Sequence, residues 1–327
     1  MNVRTSDRLS GAALVAFAAV CFGTLGPVTR FAADAGVEAL PLVTWRAAIG
    51  ALLVGWVMAL GMARGRAVSV GLGSIPVRER GLMLGGVIAG ATVNLGIFLA
   101  FLRVSIALTL LLFYLYPTLV AVVSAARFGE PFDRRRVVAL SASLLGLVLV
   151  FAGAGSLGAI DPIGIGLAFL AALAQMFYVL AARHGFASIP SAQAAAITMG
   201  GGALVYLAIA GVVGTLPSII EPLASPAGLG IIVFAGTIGA GLPTLAFVMG
   251  IRRLGPPRAA ILSTLEPVVG VLLAAVLLAE IPAPVQLLGG ALVIAGGVLS
   301  QLGGGPAAEH EAVAGDEIRS PEASSPR

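Results

Sequence analysis

Leu265 to Glu280 reads LEPVVGVLLAAVLLAE, and Leu115 to Glu130, 150 positions earlier, reads LYPTLVAVVSAARFGE. Both stretches are apolar enough to lie in a bilayer, yet each carries a proline near its start and a glutamate at its end. At the same offset, without a gap, Arg103 matches Arg253, Leu112 matches Leu262, Pro117 matches Pro267 and Gly146 matches Gly296. A second offset, 153, relates Gly11 to Gly164, Leu14 to Leu167 and Arg30 to Arg183. The chain is therefore read as a tandem repeat, and the repeat unit decides the fold.

Composition places both copies in a membrane. Of 327 residues 59% are hydrophobic and only 10% charged, with a mean hydropathy of +1.06, whereas about a quarter of the residues in soluble domains are charged. All 19 basic residues are arginine. Without lysine there is no phosphate-loop lysine for ATP hydrolysis and no Schiff base. A lone Cys21 and two histidines, His184 and His310, make neither a disulfide nor a His- or Cys-based metal site. No cofactor, metal or nucleic-acid partner is expected. An intramembrane enzyme is disfavoured too, since no nucleophile and base pair falls within a span.

Ten apolar windows are long enough to cross a bilayer: 9–30, 40–62, 80–102, 106–126, 134–153, 162–183, 191–213, 227–250, 257–279 and 285–303. They are continuous rather than alternating, which argues for helices and against a barrel. Residues 1–22 resemble a signal peptide but lack a clear cleavage pattern, so the run is read as the first span. The expected organisation is residues 1–8 as a cytoplasmic N-terminus, 9–153 and 161–303 as two repeats, and 304–327 as a disordered tail rich in Gly, Pro, Ser and acids. Arginines cluster in alternate connections, at Arg64, Arg66, Arg78 and Arg80, at Arg127 and Arg134 to Arg136, and at Arg252, Arg253 and Arg258. The intervening connections hold only Arg30 and Arg103. The excess sets both termini in the cytoplasm and the chain in the cytoplasmic membrane. Five spans per repeat is an odd number, so the second copy is expected inverted relative to the first.

The paired P-x12-E stretches, with FGTLGPVTRFA in the first span and PLVTWR opening the second, resemble the EamA family of the drug/metabolite transporter superfamily. The resemblance runs from about residue 9 to 303. It implies an all-α polytopic protein of ten transmembrane helices in two inverted five-helix halves around a central cavity, moving amino acids, metabolites, nucleosides or drugs.

Glu266 is the first candidate for solute contact, because a mid-membrane acid must be paired, solvated or neutral. It lies on a helical stripe of small and polar residues with Ala259, Ser263, Gly270 and Ala274, while Leu265, Val268, Leu272 and Val276 point elsewhere. Its repeat partner is Tyr116, expected across a central cavity. Asn94, Gln175 and Tyr178 are further cavity candidates, each equally suited to tying helices together. Pro27, Pro117, Pro243 and Pro267 free the carbonyls of Gly23, Phe113, Gly239 and Ser263, and so mark kinks or hinges. Arg46 is read as structural, snorkelling outward or paired with a carboxylate such as Glu266, because the second helix need not line the cavity. Glu130 and Glu280 are read as structural charges. A carboxylate at a helix C-terminus needs an outside partner, which Arg134 to Arg136 offer Glu130 and nothing nearby offers Glu280.

The reading is a secondary transporter that exports a small organic solute, first of all an amino acid or related metabolite, by alternating access. A lone carboxylate among hydroxyls and amides suits an amine, and protons are the second partner Glu266 would serve. The alternatives are a drug, nucleoside or other metabolite permease of the same fold, and a non-transporting sensor or scaffold. The chain is expected as a monomer or homodimer in lipid.

Overall fold

In the computed structural model, residues 3–65, 67–128, 134–153, 161–185, 188–254, 259 and 262–302 are described. Glu130, Arg66, Arg258 and the segment 304–327 lie outside the described residues. Among the described residues the chain is helical and holds no strand. In the first half α1 spans Val3–Gly23, α2 Leu25–Asp34, α3 Ala39–Ala63, α4 Val77–Phe101, α5 Ile106–Phe113, α6 Tyr116–Phe128 and α7 Arg134–Gly153. In the second, α8 spans Pro162–Gly185, α9 Ser191–Val213, α10 Leu216–Ile220, α11 Pro226–Gly236, α12 Leu242–Leu254, α13 Leu265–Leu278 and α14 Pro284–Leu302.

Among the described residues seven helical stretches are long and apolar enough to cross a membrane: Leu9–Asp34, Ala39–Ala63, Val77–Phe101, Ile106–Ser124, Pro162–Ala182, Ser191–Val213 and Pro226–Leu254. The other three expected windows contain shorter apolar helices, Val137–Val150, Leu265–Leu278 and Pro284–Leu299. Large apolar side chains face outward over the whole surface, from Leu52 and Trp56 on α3 to Leu272 and Val276 on α13. In water such a surface would aggregate, and in lipid it is the expected exterior.

Four prolines deep in the spans, Pro27, Pro117, Pro243 and Pro267, sit where the helices are irregular. The first span breaks at Thr24, three residues before Pro27, and the fourth at Tyr114 and Leu115, just before Pro117. A turn at Thr264 precedes Pro267, and Thr237–Gly241 ahead of Pro243 is π-helical, the Leu242 N–H reaching back to the Thr237 carbonyl. The cause is common to all four: proline has no N–H for the carbonyl four residues back, and its ring crowds that carbonyl.

Helix pairing follows a rule of its own. The closest partners are α1 with α12, α3 with α9, α4 with α8 and α7 with α14. Glycine sets the separations. A Cβ on Gly146 of α7 would fall 2.5 Å from the Gly289 carbonyl and 2.8 Å from the Val293 nitrogen, and one on Gly296 of α14 would fall 2.5 Å from the Ala139 carbonyl and 3.1 Å from the Ser143 nitrogen. These partners, like the glycines, are 150 positions apart. Likewise a Cβ on Gly11 would lie 2.9 Å from the Arg253 Cβ, and one on Gly164 2.9 Å from the Arg103 Cβ. At the α7–α14 glycines backbone packs on backbone, an approach that only glycine permits.

Candidate functional site

The broken helices leave a cavity of about 280 Å³ in the middle of the bundle. The break between α1 and α2, the second half of α4, the α5–α6 break, and the start of α13 supply most of its wall. Glu266, Ser263, Tyr116, Asn94 and Gln175 all line it, as do Tyr114 and Arg46. Phe22, Phe98, Phe101, Phe113 and Phe247 make its apolar walls. A second cavity of about 210 Å³ adjoins it, lined by Tyr178, Thr198, Tyr206 and Thr244. Phe22, Arg46, Val93, Asn94 and Gln175 belong to both. A cleft of about 410 Å³ lies at the bundle end that carries Arg30, Arg103, Asp161 and Glu280. Its charges are paired with one another, so we place the candidate site in the central cavity.

Glu266 is half-buried in the first turn of α13. The same helix turns Leu265, Val268, Leu272 and Val276 outward and buries Pro267, Gly270 and Ala274. The carboxylate can face the cavity because α13 comes unusually close to α1: a Cβ on Gly23 would meet the Val269 Cγ1 at 2.7 Å and the Glu266 carbonyl at 3.1 Å.

Tyr114 is a site residue that sequence reasoning missed. Stepping along one continuous helix from Tyr116 sends position 114 to another face, but the break at Tyr114 and Leu115 removes that periodicity. Its hydroxyl donates to the Ser263 carbonyl, freed by Pro267, at 3.3 Å, and it lines the cavity with Glu266. Phe113, Tyr114 and Tyr116 pack as a cluster with ring centroids 5.3 to 5.9 Å apart. Two tyrosines thus stand beside the acid where one was expected.

Arg46 departs further from expectation. It neither snorkels nor stays out of the cavity: it is 8% exposed and lines both cavities. Among the described residues its guanidinium forms no ion pair; Nε and Nη2 donate to the Gly239 carbonyl at 3.2 and 2.9 Å, and Nη1 to Asn94 Oδ1 at 2.5 Å. The Phe98 ring lies 5.4 Å from its Cζ, a cation–π distance. Asn94 is oriented by its own bond to the Gly90 carbonyl at 2.8 Å. Gly239 is the residue whose carbonyl Pro243 frees, so the arginine satisfies the acceptor that the proline leaves open.

Glu280, at the end of α13, accepts from Arg30 Nη2 at 3.1 Å and from the Ile106 N–H at 2.8 Å. At the other clasp of this cleft, Arg103 meets Asp161 at 2.7 Å, and Asp161 also accepts the Ile163 N–H at 2.8 Å. The Arg103 hydrogen bond and then the Ile163 N–H hold the Asp161 carboxyl below its ordinary range.

Comparison with known proteins agrees with the sequence resemblance. A model of the EamA-like transporter family matches residues 9–152 and again 162–301. No curated protein matches the chain in sequence. A solved crystal structure of a protein shares the fold, with a TM-score of 0.59 over 89% of this chain and 97% of the other, at 21% identity.

Proposed function

The chain belongs to the EamA-like transporter family and is a multi-pass membrane protein of the transporter class, and from that premise we propose that it exports a small amine-bearing solute, an amino acid or related metabolite. The observation that carries this is the central cavity, where Glu266 stands with Tyr114, Tyr116, Ser263, Asn94 and Gln175 among aromatic walls. An acid ringed by hydroxyls and amides offers acceptors to an ammonium group, and the apolar walls offer area to a side chain. A cavity of about 280 Å³ suits a metabolite rather than a large drug.

The mechanism we propose is alternating access of two inverted five-helix halves in the cytoplasmic membrane, both termini inside. Its support is the exchange pattern of the pairing. The contact of α1 with α12 becomes that of α8 with α4 when the halves are swapped, and the α3–α9 and α7–α14 contacts map onto themselves. The helix irregularities at Pro27, Pro117, Pro243 and Pro267 all border the site or its supports, where bending would open one face and close the other. Glu266 can also carry a proton in exchange for the solute.

The test is counterflow of labelled amino acids into vesicles of purified protein, with and without a pH gradient. Saturable counterflow is expected, and Glu266→Gln is expected to abolish pH-driven flux and to weaken counterflow of amine-bearing solutes. Absence of saturable counterflow for every amino acid would reject the solute class, and unchanged pH-driven flux in the variant would reject the proton role.

A further inference from the structure

We infer that Arg46 is the specificity-determining contact for a carboxylate on the transported solute, opposite the amine pole at Glu266. This deepens the reading above and rests on it. A guanidinium has five N–H donors and no acceptor. The hydrogen bonds to Gly239 and Asn94 use the Nε donor and one donor on each terminal nitrogen. Nη1 and Nη2 each keep a second N–H, on a side chain only 8% exposed whose open surroundings are the two cavities. A buried cation with spare donors and no anion in ion-pair contact among the described residues is a strong electrostatic trap for a carboxylate.

The supports of Arg46 fit that role. Phe98 covers one face of the guanidinium, Asn94 fixes one terminal nitrogen and the Gly239 carbonyl fixes the Nε edge. All three partners are uncharged, so they orient the cation without neutralising it. Glu266 lines the same cavity and, among the described residues, makes no ion-pair contact with Arg46, so the two charges border one solute space.

The experiment is thermal-shift titration of the full chain in lipid nanodiscs with L-leucine and with 3-methylbutylamine, its counterpart without the carboxylate. Wild type is expected to bind leucine about tenfold or more tightly than the amine, the size of one charge-assisted contact. Arg46→Gln is expected to bring that ratio to about one while amine binding persists. Arg46→Lys, which keeps the charge but not the fork, is expected to fall between. If leucine and amine weaken equally in Arg46→Gln, the arginine only ties helices together and the inference fails; a ratio unchanged from wild type overturns it as well. Wild-type protein that binds neither solute, and shows no counterflow, would instead remove the transport reading on which the inference depends.

Discussion

Glu280 closes the C-terminal end of α13 yet acts as an N-terminal cap for α5, its Oε2 accepting the Ile106 N–H at 2.8 Å while Oε1 meets Arg30 at 3.1 Å. The unfavourable position at one helix end is offset by a favourable one at another, where N–H groups point outward and attract a carboxylate. Exchanging the charges, Arg30→Glu with Glu280→Arg, should therefore fail to restore stability, because the Ile106 N–H loses its acceptor. Thermal unfolding in detergent is expected to rank Glu280→Gln above the swap, and the reverse order would show that only the ion pair matters.

The clasp between Arg103 and Asp161 should respond to acid. Asp161 titrates below its ordinary value because Arg103, and then the Ile163 N–H, favour its charged form. A depressed carboxylate contributes stability above its unfolded value, near pH 4, and loses it as pH falls through the folded value. The difference in unfolding temperature between wild type and Asp161→Asn should thus be present at neutral pH and vanish in strong acid. A difference that grows on acidification would contradict the assignment.

Close approach of α7 and α14 predicts an asymmetry among glycines. Gly289→Ala places a methyl 2.5 Å from the Gly146 carbonyl and 2.8 Å from the Val150 nitrogen, both backbone atoms that cannot turn aside. Overpacking of this kind costs about 1–3 kcal/mol. Gly166→Ala on α8 meets nothing within 4 Å and should be neutral or stabilise by up to about 1 kcal/mol through helix propensity. Unfolding midpoints of the two variants in one detergent decide the matter.

Thr118 and Ser143 share a hydrogen bond of 2.7 Å between α6 and α7, both side chains buried. Thr118→Val strands the Ser143 hydroxyl and should cost about 1–2 kcal/mol, more than the bond itself is worth. Adding Ser143→Ala removes the orphan and should recover part of the loss. A double variant less stable than the single one would mean that packing, not polarity, dominates there.

Much of this architecture was legible because it repeats. The offset of 150 coincides with the α7–α14 glycine contacts, and Pro27, Pro117, Pro243 and Pro267 each sit beside a helix irregularity, which follows from local covalent geometry. Site partners were less legible. Gly239 stood out as a freed carbonyl, but Arg46, which fills it, is 193 positions away and asymmetric between the halves. Glu280 needed a partner, and Arg30 is 250 positions away. Tyr114 was hidden because the break that turns it inward also destroys the periodicity by which a face is read. Pairings across the bundle depend on which helices become neighbours, and nothing in a single helix records that.

The α7–α14 seam has the reciprocity of an isologous dimer, in which position i of one copy meets position j of the other and j meets i. Two separate copies of one half-length chain would build that seam from identical residues, so any change would enter twice and have to suit both sides at once. Joined in one polypeptide, the sides are free to differ: Gly289 faces α7 where its counterpart is Ala139, and Val293 stands where its counterpart is Ser143. Ser143 has used that freedom to bond Thr118. The same release from pairwise change is what lets a single arginine, Arg46, exist on one side of the cavity without a mirror image on the other.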